Sequence, residues 1–170
     1  MSLTVVTGDL FDDDAQALVN AVNCQGVMGA GVALEFRHRF PLNYLAYQRA
    51  CQRGDVRPGR VLAHREAGRW VINVPTKRNW RDRSTMEDVR LGIEALVEEL
   101  GALRLQSVAL PALGCGLGGL PWSEVRSVLV RTFRHLPSVE ARVYAPMPGP
   151  PARRWHGSMD AGDHGRPPEE

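Results

Sequence analysis

Lysine is almost absent from this chain of 170 residues. Lysine and arginine together number 21, against 19 aspartates and glutamates, and only Lys77 among the 21 is a lysine. A strong preference for arginine over lysine can reflect nucleotide composition or, in some families, adaptation to heat. The arginines therefore assign no function by themselves, whereas the single lysine stands out against them.

Cysteines are few as well, and they lie far apart. Cys24, Cys51 and Cys115 form no CxxC pair, which argues against a disulfide scaffold and against a cysteine-based zinc site. The histidines show no metal-ligand spacing, so we predict no metal and no cofactor. No uncharged apolar run reaches the length of a membrane span, and the first residues lack the pattern of a signal peptide. We therefore expect a cytoplasmic protein with no membrane partner.

Hydrophobic runs of strand length alternate with helical patterns along most of the chain. The runs are at residues 3–6, 17–22, 60–63, 70–74, 107–110 and 140–144, and the helical patterns are at 31–40, 41–53, 84–101 and 121–136. Ser84 and Glu87 have the spacing of a capping box, which predicts that Ser84 begins the third helix. The order of elements predicts an α/β protein with a mixed, largely parallel sheet between helices.

The composition changes near the C-terminus. Six of the 12 prolines fall between Pro146 and Pro168, interleaved with glycines and charges. A segment of this kind lacks the periodicity of a packed element. We predict one domain over residues 1–145, followed by a flexible tail or linker over 146–170.

Two glycine-rich loops each follow a strand and precede a helix. The first contains Gly29, Ala30, Gly31 and Val32, and the second contains the set Gly114, Cys115, Gly116, Leu117 and Gly118. Glycine lets the backbone turn its N–H groups toward a ligand, and a helix N-terminus adds positive potential. Glycines can also simply make tight turns, but two such loops at strand ends favour a clamp around a diphosphate.

A local excess of cations surrounds one tryptophan after the fourth strand. The net charge of +2 is too small to indicate a nucleic-acid partner, so the local pattern matters more. Arg78, Trp80 and Arg81 combine cations for phosphate with an aromatic face for a base, as in proteins that hold single-stranded nucleic acid. The alternative is a solvated charged face with a packed tryptophan.

These motifs resemble, in order, those of the macrodomain family, and more narrowly its DarG-type branch. They are TGDL at 7–10, LVNAVN at 18–23, GAGV at 29–32, PTK at 75–77 and LPALGCGL at 110–117. The resemblance implies a three-layer α/β/α macrodomain with ADP-ribose lying across the crest of the sheet.

The resemblance also implies a role for individual residues. Asp9 accepts a hydrogen bond from the adenine amino group, Leu10 assists with its backbone, and Tyr144 flanks the adenine. Asn23 bonds the distal ribose. The two glycine loops hold the phosphates.

Lys77 lies where the lysine-dependent branch of the family has its catalytic lysine. As a neutral amine it can form a Schiff base with an opened ribose, and as a cation it can stabilise the leaving group. Both roles are open, and Asn23 is the second residue placed at the reaction. Part of the branch also has a catalytic aspartate in the second loop, where this chain has Gly118.

The function implied is a DNA ADP-ribosyl glycohydrolase that removes ADP-ribose from thymine in single-stranded DNA. Such an enzyme is the antitoxin to a DNA ADP-ribosyltransferase toxin, which is the expected cellular partner. The alternatives are a hydrolase of ADP-ribose linked to glutamate or aspartate in proteins and a non-catalytic ADP-ribose reader. We expect a monomer.

Overall fold

Six strands and four helices follow one another in the order that the hydrophobic runs predict. The computed structural model describes residues 3–146. The strands are β1 (Leu3–Val6), β2 (Ala17–Val22), β3 (Leu62–Glu66), β4 (Arg69–Pro75), β5 (Ser107–Pro111) and β6 (Glu140–Tyr144), and the helices are α1 (Gly31–Arg39), α2 (Pro41–Gln52), α3 (Met86–Ala102) and α4 (Trp122–Phe133). The predicted α/β class and element order are confirmed.

All six strands form one mixed sheet in the order β1-β6-β5-β2-β4-β3. Every pairing is parallel except that of β3 with β4. The carboxyl ends of five strands therefore meet at one edge of the sheet. The loops that leave β2, β4, β5 and β6 are neighbours there, although they lie far apart in the sequence.

Alternate residues of the central strands pack against two helical layers. Val19, Ile72 and Leu110 belong to the core with α3 and α4. Leu18 and Val71 point the other way and pack with Phe36 of α1. Successive side chains of a strand point to opposite faces, so this alternation confirms the three-layer α/β/α arrangement.

The third strand is later than predicted. The hydrophobic run predicts an extended chain at residues 60–63, but Arg60 closes a turn by donating its N–H to the Arg57 carbonyl at 2.8 Å. The strand instead runs from Leu62 to Glu66 through polar residues. As an edge strand it is paired on one side only, so charge there is tolerated and hides the hydrophobic signal.

The start of the third helix is also corrected. Its N-cap is Thr85, whose hydroxyl accepts a hydrogen bond from Asp88 N, and Ser84 makes no cap. Glu87 forms an ion pair with Arg90 instead of reaching back. The sequence contains the capping spacing twice, one residue apart, and burial of Ser84 beneath the second glycine loop decides between them.

One further short element lies near the start of the chain. A short 3-10 helix (Leu10–Asp12), which the hydrophobic pattern did not predict, follows β1. None of the helices within residues 3–146 is long and apolar enough to cross a membrane. The tail predicted at 146–170 lies outside the described residues except for Pro146.

Candidate ligand-binding cavity

A cavity of about 1410 Å³ opens at the carboxyl edge of the sheet. Small-ligand pockets usually measure roughly 300–1,000 Å³, so this one is large enough for an extended ligand. The wall includes residues 21–23 at the end of β2, 76–77 after β4, 111–112 at the end of β5 and Tyr144 at the end of β6. Parallel pairing of these strands brings all four ends together.

Asn23 holds the first loop in shape. Its Oδ1 accepts hydrogen bonds from the Gln25 amide at 2.9 Å and from the Tyr47 hydroxyl at 2.9 Å, and its Nδ2 donates to the Val27 carbonyl at 2.7 Å. The Asn23 amide has two N–H donors, and within residues 3–146 only one of them is bonded, so the second can bond a ligand. Tyr47 is fully buried, and this burial raises the pKa of its hydroxyl, which therefore stays a donor.

The four predicted residues of the first loop all line the cavity. Ala30 precedes α1 in an extended conformation, and no side chain caps the helix. Leu34 N is the first amide of the helix to bond within it, to the Ala30 carbonyl at 3.2 Å. The amides of Gly31, Val32 and Ala33 therefore have no helical partner and can meet an anion.

The second loop requires glycine at two positions. Gly114 has φ +76°, a backbone conformation that side chains disfavour. A Cβ at Gly118 would lie 2.3 Å from Ser84 Oγ and 2.5 Å from the Gly114 carbonyl oxygen. A carboxylate side chain at position 118 therefore has no room in this loop.

The Leu117 side chain extends from the second glycine loop toward the first. It is 72% exposed, and its Cδ1 is 3.9 Å from the place that a Cβ at Gly31 would occupy. Gly114, Gly116, Leu117 and Gly118 line the cavity, whereas Cys115 does not. The Cys115 thiol contacts the Leu113 carbonyl, and burial raises its pKa to about 11.

Lys77 is fixed by backbone bonds that continue the pairing of β2 with β4. Thr76 N donates to the Val22 carbonyl at 2.9 Å, and Cys24 N donates to the Arg78 carbonyl at 3.0 Å. Lys77 lies between these two bonds, half-buried, and shares the cavity wall with Asn23. Within residues 3–146 its amine makes no hydrogen bond or ion pair, so it is available to a ligand.

The three residues of the basic segment, which are Arg78, Trp80 and Arg81, lie in different environments. Arg78 does not line the cavity, and its guanidinium bonds both carboxylate oxygens of Asp88, at 3.2 and 3.3 Å. Trp80 and Arg81 do line it, with the Arg81 guanidinium 4.7 Å from the centre of the Trp80 ring. Trp80 is 48% exposed, so its ring is accessible at the mouth of the cavity.

The predicted adenine-binding residues lie at the other end. Tyr144 lines the cavity, and its Cε1 is 3.8 Å from the Cβ position at Gly8. Asp9 and Leu10 do not line it. The Asp9 carboxylate caps the short 3-10 helix by accepting from Phe11 N at 2.9 Å, and Leu10 is buried in the core. Their roles toward adenine stay predictions.

Sequence reasoning missed several residues of the wall. Asp82, Arg83 and Ser84 line the cavity beside Trp80 and Arg81. The Ser84 amide donates to the Gly118 carbonyl at 3.1 Å, which joins this segment to the second glycine loop. The signal in the sequence was the continuation of the charged segment to Ser84, but only folding places it against a loop more than 30 residues away.

A model of the Macro domain family matches residues 19–129. The chain is 46% identical over 154 residues to a protein of Thermus aquaticus named DNA ADP-ribosyl glycohydrolase, covering 88% of this chain and 43% of the relative. It is 42% identical over 151 residues to a protein of the same name from Mycobacterium tuberculosis, covering 86% of this chain and 43% of that relative. A Thermosipho africanus relative, 33% identical over 165 residues (86% and 42%), is named as a fusion of a DNA ADP-ribosyl transferase with such a glycohydrolase. The chain thus spans less than half the length of these curated relatives.

Solved structures of related proteins superpose on this chain. The macrodomain of Thermus aquaticus DarG superposes with a TM-score of 0.82 at 46% identity, covering 85% of this chain and 98% of that one. Thermosipho africanus DarTG in complex with ADP-ribose superposes with a TM-score of 0.80 at 32% identity, covering 86% and 42%.

Proposed function

This chain belongs to the macrodomain family, and from that membership we propose that it is a DNA ADP-ribosyl glycohydrolase. Its substrate is ADP-ribose attached to a thymine base in single-stranded DNA. Its relatives with 42–46% identity bear that enzyme name, and a related structure contains ADP-ribose. The observation that carries the proposal is the position of Trp80 and Arg81, at the mouth of the same cavity that contains Lys77.

The order of groups along the sheet edge matches the order of groups in ADP-ribose. Tyr144 follows β6, the second glycine loop follows β5, the first follows β2, and Lys77 follows β4; these strands are successive neighbours. Three strand spacings of about 4.8 Å make roughly 14 Å. Adenine beside Tyr144 thus leads to the diphosphate between the loops and to the distal ribose beside Asn23 and Lys77.

The two glycine loops supply the diphosphate site. The unbonded amides at the start of α1 face the cavity from one side, and the backbone of Gly116 to Gly118 approaches from the other. Backbone amides and a helix N-terminus attract anions without any cationic side chain. This arrangement binds the part of ADP-ribose that all its conjugates share.

Lys77 acts on the bond that joins the distal ribose to the base. As a cation it stabilises negative charge on the departing base, and as a neutral amine it traps the opened ribose as a Schiff base. Arginine can do only the first, because it keeps its proton near neutral pH. The two roles therefore predict different activities for Lys77→Arg.

The base and the DNA strand leave the cavity past Trp80 and Arg81. A half-exposed indole offers a stacking face to a base, and the adjacent guanidinium offers a cation to phosphate. Arg78 is engaged with the buried carboxylate of Asp88, so we assign it a smaller share of DNA binding than the sequence alone suggested. The cellular partner that we propose is a DNA ADP-ribosyltransferase toxin, and the compartment is the cytoplasm.

The experiment measures release of ADP-ribose from an oligonucleotide carrying ADP-ribosyl thymine. We expect Lys77→Ala to lower kcat by about 10²-fold or more, with ADP-ribose affinity by calorimetry nearly unchanged. Arg126→Ala is the control, since it removes an exposed cation on α4 that does not line the cavity. Lys77→Arg loses activity if amine chemistry is required and keeps much of it if charge suffices.

Two alternative functions predict other outcomes. A hydrolase of protein-linked ADP-ribose would turn over ADP-ribosyl glutamate peptides faster than the oligonucleotide at equal enzyme concentration. A non-catalytic reader would bind ADP-ribose without turnover of either substrate. Either result would contradict the proposal.

A further inference from the structure

Asp82 is the sole carboxylate that lines the cavity among residues 3–146. The same wall contains no histidine from this part of the chain. Hydrolysis of a glycosidic bond consumes a water molecule, whose proton must go to an acceptor at the reaction site. A carboxylate on the wall of the cavity that also contains Lys77 can be such an acceptor.

The turn that contains Asp82 is well fixed. Asp82 N donates to the Asn79 carbonyl at 3.1 Å, and Arg81 N donates to Asn79 Oδ1 at 3.0 Å. Trp80 N donates to Gln25 Oε1 at 3.2 Å, which ties the turn to the first glycine loop. These three hydrogen bonds fix the backbone of the turn that presents Asp82 at the cavity wall.

The Asp82 carboxylate is available although arginines surround it in the sequence. It forms no side-chain hydrogen bond and no ion pair with any residue in 3–146, whereas the Arg81 guanidinium lies over Trp80. Arg83 lies beside the second glycine loop, with its Cδ 3.9 Å from the Cβ position at Gly119. Neither neighbour neutralises Asp82 by direct contact.

An exposed carboxylate at this place opposes the binding of DNA. DNA phosphates are repelled by a negative charge at the mouth of the cavity. The second glycine loop cannot supply a carboxylate in its stead, because a Cβ at position 118 would collide with Ser84 and with the loop backbone. Within residues 3–146, Asp82 is therefore the acidic side chain of the cavity wall that is left to act as a base.

We propose that Asp82 is the general base that activates water for cleavage of the glycosidic bond, an inference that rests on the proposed function. The carboxylate takes a proton from water while the water oxygen forms a bond to the anomeric carbon of the distal ribose. The bond from that carbon to the base breaks, and its electron pair leaves with the base. The proton held by Asp82 then passes to the base, which restores the carboxylate and yields free ADP-ribose and unmodified base.

The test compares Asp82→Asn with the wild type on the ADP-ribosylated oligonucleotide. We expect kcat to fall about 10²- to 10⁴-fold, while calorimetric affinity for ADP-ribose stays within about threefold. Glu98→Gln is the control, because Glu98 is exposed on α3, does not line the cavity and loses the same charge. Added formate should restore part of the activity of Asp82→Ala and none of that of Lys77→Ala.

A different result assigns Asp82 an electrostatic role only. If Asp82→Asn lowers KM for the oligonucleotide and leaves kcat unchanged, the inference is wrong. The wild type and Lys77→Ala, assayed alongside, separate this outcome from failure of the proposed function. Turnover by the wild type and its loss in Lys77→Ala uphold that function whichever way Asp82 behaves, and absence of wild-type turnover overturns both.

Discussion

Gly118 shows how a single missing side chain shapes this site. A Cβ there would approach the Ser84 hydroxyl and a backbone oxygen to within 2.5 Å or less, and the backbone oxygen cannot move without opening the loop. We expect Gly118→Ala to lower the free energy of unfolding by about 1–3 kcal/mol, the usual cost of overpacking, and to weaken ADP-ribose binding. Urea unfolding and calorimetry measure the two effects.

Gly116 provides the matched control in the same loop. A Cβ at Gly116 would meet nothing within 4 Å, and Gly116 has no positive φ. Gly116→Ala should therefore leave stability nearly unchanged. Equal stability of the two alanine variants would show that the loop adapts freely and that Gly118 is not sterically required.

Residue by residue, the sequence was most informative where glycines and polar residues follow strands. Asn23, Lys77 and both glycine loops lie on one cavity wall because parallel strands end at one edge. Asp82 was passed over since a carboxylate within a basic segment reads as a solvated charge. The family motif assigns Asp9 to adenine, whereas its carboxylate caps a turn outside the cavity wall.

At the scale of elements, Asp13 joins β6 to the segment that follows β1. Arg142 donates to both of its oxygens and the Tyr144 hydroxyl donates at 2.6 Å. Burial opposes ionisation of Asp13, but these hydrogen bonds outweigh it and lower its pKa. Burial and the bond to Asp13 raise the pKa of Tyr144 to about 12, so its hydroxyl remains the donor that fixes the ring.

We expect Asp13→Asn to destabilise the protein by about 2 kcal/mol at neutral pH, the scale of a hydrogen bond to a charged group. Because the folded-state pKa is lowered, the stabilisation is present above the unfolded-state pKa of about 3.9 and is lost as pH falls through the folded value. Urea unfolding between pH 7 and pH 3 should show the difference from wild type shrinking at the acidic end. Asp55→Asn is the comparison, since Asp55 is paired with exposed Arg53 and surface ion pairs contribute little to stability. A difference that stays constant with pH would contradict this account.

The elements that the sequence misplaced share a physical cause. The edge strand β3 contains His64, Arg65 and Glu66, whose polar side chains carry no hydrophobic signal although only Arg65 is exposed. The spacing of Ser84 and Glu87 predicts Ser84 as the cap of α3, but Ser84 is buried beneath the second glycine loop and Thr85 is the cap. Local pattern fixes the type of an element better than its ends, because its ends are decided by contacts with distant residues.

At the scale of the whole molecule, the strand order is what local patterns do not contain. The alternation of strands and helices predicts a largely parallel sheet, but not that β5 and β4 flank β2. That order makes four loops that are distant in sequence neighbours along one edge of the sheet. The length of the cavity, and hence the length of its ligand, is a property of the sheet and not of any motif.

The same order predicts how ligands of different length stabilise the protein. A ligand that binds only the folded state at 100 times its Kd adds about 2.7 kcal/mol to the free energy of unfolding, which corresponds to roughly 5–10 °C in Tm for a domain of this size. Thermal unfolding with ADP-ribose, AMP and ribose 5-phosphate at one concentration should therefore give the full shift with ADP-ribose alone, because each fragment reaches only part of the edge between Tyr144 and Lys77. Lys77→Ala should keep most of the ADP-ribose shift, since its backbone contacts persist and its role lies in bond cleavage. An equal shift with AMP and ADP-ribose would mean that the distal ribose does not reach Asn23 and Lys77, and the assignment of the distal end of the cavity would then be wrong.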